Sequence, residues 1–194
     1  MSKVDLVLAS GSPRRREMLE QLGLSFSVYV TQTDETRKDG ELPEDFVVRL
    51  ARDKARAAKN DNNYDDSIAV LAADTIVVQN ERVYGNPRDY EHAQRIWQTL
   101  SGSKHQVMTA VCFLVGDSMQ VKVGVTDVEF AVINEAQMKR YWDSGEPQDK
   151  AGAYGIQGLA SAWVKSINCS YTNVVGLPLR EVNLLLSEVG LNWL

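Results

Sequence analysis

The sequence is short of cysteine and of long apolar runs, and each shortage excludes a class of protein. Its two cysteines, Cys112 and Cys169, lie far apart without CxxC spacing, which argues against a disulfide framework or a zinc knuckle. No apolar run approaches the roughly 18 residues that a membrane-spanning helix needs. The first residues reach a charge too early for a secretory signal. We therefore expect a cytoplasmic protein that does not contact a membrane.

An excess of positive charge is also lacking, since 21 Lys and Arg stand against 26 Asp and Glu, a formal net charge of −5. Proteins that bind duplex nucleic acid need a basic face, so we expect no nucleic-acid partner. A local basic pocket for a small anion is still compatible with this balance. The length of 194 residues and the 44% of hydrophobic residues predict one domain over residues 1–194, with two closely packed lobes.

The hydrophobic periodicity predicts strands that alternate with helices in the first part of the chain, and a hairpin in the middle. Strands are predicted over residues 5–9, 26–30, 68–79, 106–115, 120–130 and 162–167. Helices are predicted over residues 13–22, 43–59, 89–100, 134–144 and 179–189, and a solvated loop over residues 60–67. The combination predicts an α/β fold with a mixed sheet flanked by helices.

The segment SGSPRR, residues 10–15, joins the end of the first strand to the start of the first helix. Ser12 suits the N-cap and Pro13 the first helical position. The free N–H groups and the dipole of such a terminus attract anions, whereas Arg14 and Arg15 in the first turn oppose the dipole. Two interpretations stay open, a phosphate site and a capped helix with solvated arginines. The segment is not a Walker A loop, because GxxxxGK[ST] is absent.

Lys54 falls within the apolar stripe of the helix predicted over residues 43–59. A lone ammonium among apolar side chains is costly unless it is paired or reaches solvent. Lys54 is therefore either a cation that faces a cleft and binds phosphate, or a lysine whose methylene groups pack on apolar neighbours while its ammonium reaches solvent. The stripe around it consists of Phe46, Val47, Leu50, Ala51, Ala55 and Ala58.

Asp74 interrupts the most apolar stretch of the chain, the predicted strand over residues 68–79. A carboxylate in such surroundings needs a cation, hydrogen-bond donors or a metal, so it is a metal ligand, a general base or a satisfied structural residue. Thr75 points to the opposite face of a regular strand. Glu35, in a polar loop, is either a second functional carboxylate or a solvated side chain. His105 shows no metal spacing and is expected to support a turn.

Basic groups, carboxylates and glycine turns together indicate chemistry on a phosphate ester. Eight blocks in order resemble the Maf family of nucleoside triphosphate pyrophosphatases over nearly the whole chain. The blocks are LASGSPRRREML (8–19), the Asp34-Glu35 loop, FVVRLARDKA (46–55), AADTIV (72–77), LSGSKHQVMTAV (100–111), TDVEF (126–130), EPQDKAGAYGIQG (146–158) and SYTNVVGLPL (170–179).

The resemblance implies an elongated, twisted mixed sheet in two lobes around a central cleft, and often a homodimer. It also implies hydrolysis of a nucleoside triphosphate at the α-phosphorus with a divalent metal, Mg²⁺ or Mn²⁺. The motifs SPRR, ADT and IQG are similar to the branch that acts on dTTP and UTP. A pyrimidine nucleoside triphosphate is therefore the expected substrate.

The resemblance also implies roles for three residues in the reaction itself. Asp74 falls on the position of the proton acceptor that activates the attacking water. Glu35, together with Asp74, is the expected metal ligand, and Lys54 is expected to contact the phosphates. A carboxylate close to a water is a suitable general base, and fixed cations stabilise the charge on the phosphoryl oxygens.

Further positions are implied to bind the substrate. Ser10 and Arg14 are expected to hold phosphates, and Lys150 is a further candidate cation beside the glycine-rich loop. Gln157 carries both a donor and an acceptor, so it can read the edge of a pyrimidine. By resemblance, the positions that select the base are Arg15, Thr75 and Gln157, with Arg14 beside them.

One position departs from the family pattern, because many relatives carry lysine where this chain has Asn86. If that lysine contacts phosphate, one cation is missing, and Arg88 or Lys150 is the candidate to compensate. Asn86 can equally be a turn residue in a shifted loop. Two other functions stay open: a nucleotide-binding regulator of cell division, and the same reaction with a different base preference.

Overall fold

The computed structural model describes residues 5–62 and 64–188, and seven strands of one sheet organise them. The strands are β1 (Leu6–Ala9), β2 (Phe26–Val28), β3 (Ala69–Gln79), β4 (Arg82–Tyr84), β5 (Lys104–Val115), β6 (Ser118–Phe130) and β7 (Val164–Asn168). The helices are α1 (Pro13–Gln21), α2 (Pro43–Asn62), α3 (Tyr90–Leu100), α4 (Glu135–Asp143), α5 (Tyr171–Val175) and α6 (Leu179–Glu188), with short 3-10 helices at Ala151–Ala153 and Leu159–Trp163. The predicted end of the last helix, Val189, lies outside the described residues.

The sheet is mixed, in the order β2-β1-β3-β5-β6-β7. β4 pairs with the same edge of β3 as β1 does, but further along the strand. β1 is parallel to β2 and β3, while β5, β6 and β7 continue the sheet in antiparallel pairs. The connections between the parallel strands β1, β2 and β3 are long and contain α1 and α2, as parallel pairing requires. A two-residue connection joins β5 and β6, which is enough for an antiparallel hairpin. The predicted α/β fold with a mixed sheet is confirmed; the division of one domain into two lobes stays a prediction.

Each face of the sheet carries its own hydrophobic core. On one face, α2 buries the predicted apolar stripe, including Phe46, Leu50 and Ala55, against alternate residues of β3 such as Ala72 and Ile76. On the other face, the large side chains of α3, α4 and α6 pack against the opposite set of β3 residues, among them Ala73 and Val77. Asp74 and Thr75 therefore point to opposite faces of the sheet, as the alternation of a regular strand predicts.

Two local predictions were wrong, and one was confirmed in position. The loop predicted over residues 60–67 begins too early, because α2 continues to Asn62, whose side-chain amide donates to Ala58 O. His105 does not support a turn: it lies inside β5, is buried, and contacts the Tyr154 hydroxyl through Nε2 at 2.8 Å. The predicted N-cap of α1, Ser12, is confirmed, although its side chain makes no capping hydrogen bond. The periodicity also missed β4 and α5, which are too short for a periodic signal.

One edge of β3 has a gap in its strand pairing, and a cleft lies at this gap. This edge of β3 pairs with β1 as far as Ala72 and with β4 from Val77 onwards. Within the described ranges no strand covers this edge between residues 73 and 76, so the segment that carries Asp74 lies open between the end of β1 and β4. The same ranges contain no helix long and apolar enough to cross a membrane.

Candidate active site

A cleft of about 530 Å³ opens over this gap. Its wall includes Glu35, Lys54, Asp74, Thr75 and Gln157, five of the predicted site residues. Arg14, Arg15 and Lys150 line it as well, and Ser10 lines an adjoining hollow at the start of α1. The structure thus brings all the residues predicted for the site to one concave region. A volume of this size is typical of small-molecule sites.

Lys54 joins the two predicted carboxylates at the centre of the cleft. Its Nζ lies 2.5 Å from Asp74 Oδ1 and 2.7 Å from Glu35 Oε1. The Lys54 side chain is only 14% exposed, so the ammonium is held in the cleft by these two partners instead of extending into solvent. α2 and β3 position Lys54 and Asp74 directly, because the apolar stripe of α2 packs on the same face of β3.

The loop that carries Glu35 is held against α2 by an arginine. Arg49 Nη2 donates to Thr36 O at 2.9 Å, and Arg49 Nε donates to Glu41 Oε1 at 2.6 Å. This contact with the Arg49 guanidinium lowers the pKa of Glu41 to about 2, so Glu41 is ionised at neutral pH. Arg49 therefore ties Thr36, the residue after Glu35, and Glu41 to α2. Sequence reasoning missed this role because a polar loop has no period to show it.

Asp74 is 7% exposed, so its carboxyl lies in nearly dry surroundings. Burial raises the pKa of its carboxyl above the ordinary value, while the charges of Lys54 and Arg15 oppose that shift. A carboxylate whose proton affinity is raised by burial is a better general base than a solvated one. The exposed Glu35 side chain lacks this environment, so the two carboxylates differ in their chemistry.

The Arg15 guanidinium is already engaged by the protein. Its Nε donates to Gly176 O at 2.8 Å, and its Nη1 to Ala73 O at 2.8 Å and to Ser10 Oγ at 3.1 Å. Its Nη2 donates to Thr75 Oγ1 at 3.0 Å. Four of its five N–H donors thus join α1, the open edge of β3 and the turn after α5.

Thr75 belongs to a buried polar chain that continues under the cleft. Its Oγ1 lies 3.0 Å from Thr109 Oγ1, and Thr109 Oγ1 donates to Asn173 O at 2.9 Å. The side-chain amide of Asn173 donates in turn to Val107 O and Thr126 Oγ1, both at 2.9 Å. The Thr75 hydroxyl therefore ties the cleft floor to α5. Sequence reasoning did not identify Asn173 or Thr109, since a buried hydrogen-bond network is invisible before folding.

Arg14, unlike Arg15, has a largely uncommitted guanidinium. The contact that the described residues offer it is Asp149, with 3.6 Å between Arg14 Nη1 and the carboxylate. Asp149 also lies 2.6 Å from Lys150 Nζ, and Lys150 Nζ donates as well to Glu146 O. The two predicted phosphate-binding cations are thus held together by one exposed carboxylate, which sequence reasoning missed.

Gln157 lies on an exposed turn at the cleft wall. Gly158 N–H donates to Gly155 O at 3.2 Å, so Ile156 and Gln157 are the two central residues of this turn. Ile156 is buried, whereas Gln157 is exposed, and its amide makes no hydrogen bond to any described residue. The amide is therefore available to a ligand in the cleft.

Positive charge dominates the cleft although the chain as a whole is acidic. Three carboxylates line it, those of Glu35, Asp74 and Asp149, against six cations. Asn86 lines the cleft too, whereas Arg88, one candidate to compensate for the missing lysine, does not. The cations are Arg14, Arg15, Arg37, Lys54, Arg82 and Lys150; Arg37 and Arg82 were not anticipated.

The cleft suits a metal ion that arrives with a phosphate ligand. The described residues contain no group of three or more His, Cys, Asp or Glu side chains that could hold an ion by themselves. Glu35 and Asp74 supply two carboxylates, each of which contacts Lys54 Nζ through one oxygen and has a second oxygen for an ion. Mg²⁺ typically uses one or two carboxylates and completes its shell with water and substrate phosphates, so this donor set fits.

The comparisons with known proteins identify the class. A family model described as "Maf-like protein" matches residues 5–189, so the chain belongs to the Maf family. A solved structure of the Staphylococcus aureus Ham1 protein has a TM-score of 0.53 at 12% identity and covers 96% of this chain and 98% of its own. That likeness shows the fold alone.

Curated relatives carry one particular name. A protein of Yersinia pestis bv. Antiqua is 52% identical over 94% of this chain and 92% of its own length, and is named dTTP/UTP pyrophosphatase. Proteins of Escherichia coli O157:H7, 50% identical with the same coverage, and of Hahella chejuensis, 45% identical over 96% of this chain and 92% of its own, have the same name. The resemblance that the eight sequence blocks indicate is confirmed.

Proposed function

We propose that this chain is a nucleotide pyrophosphatase that hydrolyses dTTP and UTP to the nucleoside monophosphate and pyrophosphate. The observation that carries the proposal is the arrangement of Asp74, Lys54 and Glu35 in a cationic cleft, in a chain of the Maf family. The relatives named dTTP/UTP pyrophosphatase support the substrate.

In the proposed reaction, a water oxygen bonds to the α-phosphorus and the bond from that phosphorus to the α,β-bridging oxygen breaks. Asp74 accepts the proton of the water, and pyrophosphate leaves. Lys54, between the two carboxylates, is placed to donate hydrogen bonds to phosphoryl oxygens as negative charge develops there. Arg14, in the first turn of α1, and Lys150, beside the glycine-rich segment, are placed to contact the phosphates, as is Ser10 after the end of β1.

Glu35 and Asp74 are the residues that would hold a divalent cation, Mg²⁺ or Mn²⁺. Such an ion would neutralise part of the charge on the triphosphate. The base is read by Gln157, whose amide faces the cleft without a partner among the described residues. Arg15 and Thr75 contribute to base selection by shaping the cleft floor, because their polar atoms are engaged with each other and with Gly176, Ala73 and Thr109.

The location and assembly are proposals as well. We propose a cytoplasmic enzyme, in keeping with two cysteines that are both free, Cys112 buried and Cys169 exposed. The homodimer is proposed from the family resemblance, and light scattering on the purified chain tests it. Cell fractionation tests the compartment.

The first experiment incubates the purified protein with a panel of nucleoside triphosphates and Mg²⁺ or Mn²⁺, and quantifies monophosphate and pyrophosphate. Asp74→Asn is expected to lower kcat by about 10²–10⁴-fold, because the proton acceptor is lost. Asp66→Asn is the matched control, since Asp66 pairs with Lys59 at the surface. It is expected to keep native activity.

Each other outcome has a distinct meaning. Turnover of other bases at similar kcat/KM would keep the reaction and refute the base preference. Nucleotide binding without turnover of any triphosphate would refute the enzyme and favour a nucleotide-binding regulator. Release of orthophosphate in place of pyrophosphate would refute attack at the α-phosphorus.

A further inference from the structure

The turn that carries Gln157 is bracketed by hydrogen bonds from outside the turn. At its start, Gly155 N–H donates to the Tyr141 hydroxyl at 2.9 Å. Just after its end, Leu159 N–H donates to Glu146 Oε2 at 2.9 Å. The Tyr141 hydroxyl itself donates to the other carboxylate oxygen, Glu146 Oε1, at 2.8 Å. Tyr141 and Glu146 thus form one connected clamp on both ends of the turn.

The two glycines of the turn fit closely around this clamp. A Cβ at Gly158 would lie 2.2 Å from Glu146 Oε2 and 2.3 Å from its Cδ, so only glycine leaves room for the carboxylate. A Cβ at Gly155 would lie 2.8 Å from Lys150 Cε. Glycine makes a free turn conformationally loose, so residues 155–158 need external hydrogen bonds to hold one geometry.

Tyr141 is suited to hold the turn rigidly. It lies on α4, is 3% exposed, and its ring packs at centroid distances of 4.7 Å from Trp163 and 5.5 Å from Trp97. Burial raises the pKa of its phenol, so the hydroxyl keeps the proton that it donates to Glu146. A buried ring with a single polar atom at its end fixes that atom in space, which supports a precise contact.

We propose that Tyr141 and Glu146 are positioning residues for base selection, which hold the turn at residues 155–158 so that the Gln157 amide meets the edge of the pyrimidine. The proposal rests on the proposed function, in which Gln157 reads the base. Discrimination by hydrogen bonds depends on the reading group being preorganised, because a mobile amide can adapt to the wrong base. The clamp side chains touch neither Asp74 nor Lys54, and Lys150 Nζ contacts Glu146 through its backbone carbonyl, which Glu146→Gln and Tyr141→Phe both keep. We therefore expect the clamp side chains to act on selection and not on the chemical step.

The test measures kcat and KM for dTTP, CTP and ATP with Tyr141→Phe, Glu146→Gln and native protein. Tyr141→Phe keeps the packed ring and removes only the hydroxyl. Its preference for dTTP over CTP and ATP is expected to fall about three- to tenfold, the worth of one hydrogen bond, through a higher KM for dTTP at nearly native kcat. Glu146→Gln keeps one acceptor oxygen, so its preference for dTTP is expected to fall less than that of Tyr141→Phe.

Tyr29→Phe is the matched control, because it too loses a tyrosine hydroxyl that donates to a carboxylate, Asp61, away from the cleft. It is expected to keep the native preference. An equal loss of kcat/KM for all three nucleotides in Tyr141→Phe would overturn the proposal, since that is the mark of a general structural role. An unchanged preference in both clamp variants would overturn it as well.

Gln157→Ala separates this inference from the proposed function. If Gln157→Ala abolishes the base preference, and Tyr141→Phe adds nothing to it in the double variant, the clamp acts through Gln157 as proposed. If Gln157→Ala abolishes the preference while the clamp variants keep it, positioning is refuted and base reading stands. If Gln157→Ala keeps the preference, base reading by Gln157 is itself refuted, and the positioning proposal with it.

Discussion

Adjacent residues of the same type, Arg14 and Arg15, have different roles because a helix turns each side chain by about 100° relative to its neighbour. Arg15 points under α1 to four acceptors of the protein, whereas Arg14 points to the cleft and contacts Asp149 at a distance of 3.6 Å. The helix pattern places both in one first turn, and only the family resemblance gives them different expected roles. The geometry assigns Arg15 to the cleft floor and leaves Arg14 for the substrate.

This difference makes a paired prediction. Arg15→Lys is expected to lower the free energy of unfolding by about 1–3 kcal/mol, because a compact ammonium cannot reach all four acceptors. Arg14→Lys is expected to stay within about 0.5 kcal/mol of the native protein. It should instead raise KM for dTTP, since lysine lacks the fork of the guanidinium. Urea denaturation and steady-state kinetics measure both effects, and equal stability losses in the two variants would contradict the assignment.

Among the elements, β5 and the glycine-rich segment are joined by a buried histidine. His105 is 2% exposed and packs edge-on against Phe130 and Tyr154, with Nε2 at the Tyr154 hydroxyl. Its Nδ1 is buried without a partner among the described residues. Tyr154 directly precedes the turn that carries Gln157, so this contact connects the central hairpin to the cleft wall.

Burial lowers the pKa of His105 to about 4, below its ordinary value of 6.5. The unfolded state then binds more protons than the folded state between these values, so stability falls as pH drops through this window. The His105 contribution to this loss is about 2 kcal/mol between pH 7 and pH 5. His105→Gln, which keeps a partner for Tyr154, is expected to lose correspondingly less stability over that range. Urea unfolding at both pH values checks this, and identical losses would show that His105 does not titrate as described.

Over the whole molecule, charge is distributed unevenly. The chain has a formal net charge of −5, yet the side chains that line the cleft include twice as many cations as carboxylates. An acidic exterior repels polyanions such as duplex DNA, while the local field of the cleft attracts a compact triphosphate. The net charge of the chain therefore bears on binding to large polyanions, and the charge of the cleft on binding to a small triphosphate.

A substitution at Asn86 tests whether positive charge in the cleft strengthens substrate binding. Because it lines the cleft, Asn86→Lys is expected to lower KM for dTTP, and the gain should shrink from low to high salt as the Debye length falls to about 8 Å at physiological ionic strength. Asn60→Lys, on the exposed face of α2, adds the same charge away from the cleft and is expected to leave KM unchanged. No gain in affinity or turnover from Asn86→Lys would count against a lost phosphate contact at this position.

The α/β class, the main strands and helices, the apolar stripe of α2 and the family were all predictable before folding, since they depend on periodicity and on ordered motifs within the chain. The pattern also singled out Lys54 and Asp74, because a charge among apolar residues is anomalous in any fold. Only the folded chain shows that these two meet each other and Glu35, that Arg15 is engaged while Arg14 contacts Asp149 alone among the described residues, and that Tyr141 and Glu146 hold the turn of Gln157. Most of these contacts join residues far apart in the chain. They depend on helix rotation, on strand register and, for Asp74, on the gap between β1 and β4, none of which a local pattern encodes.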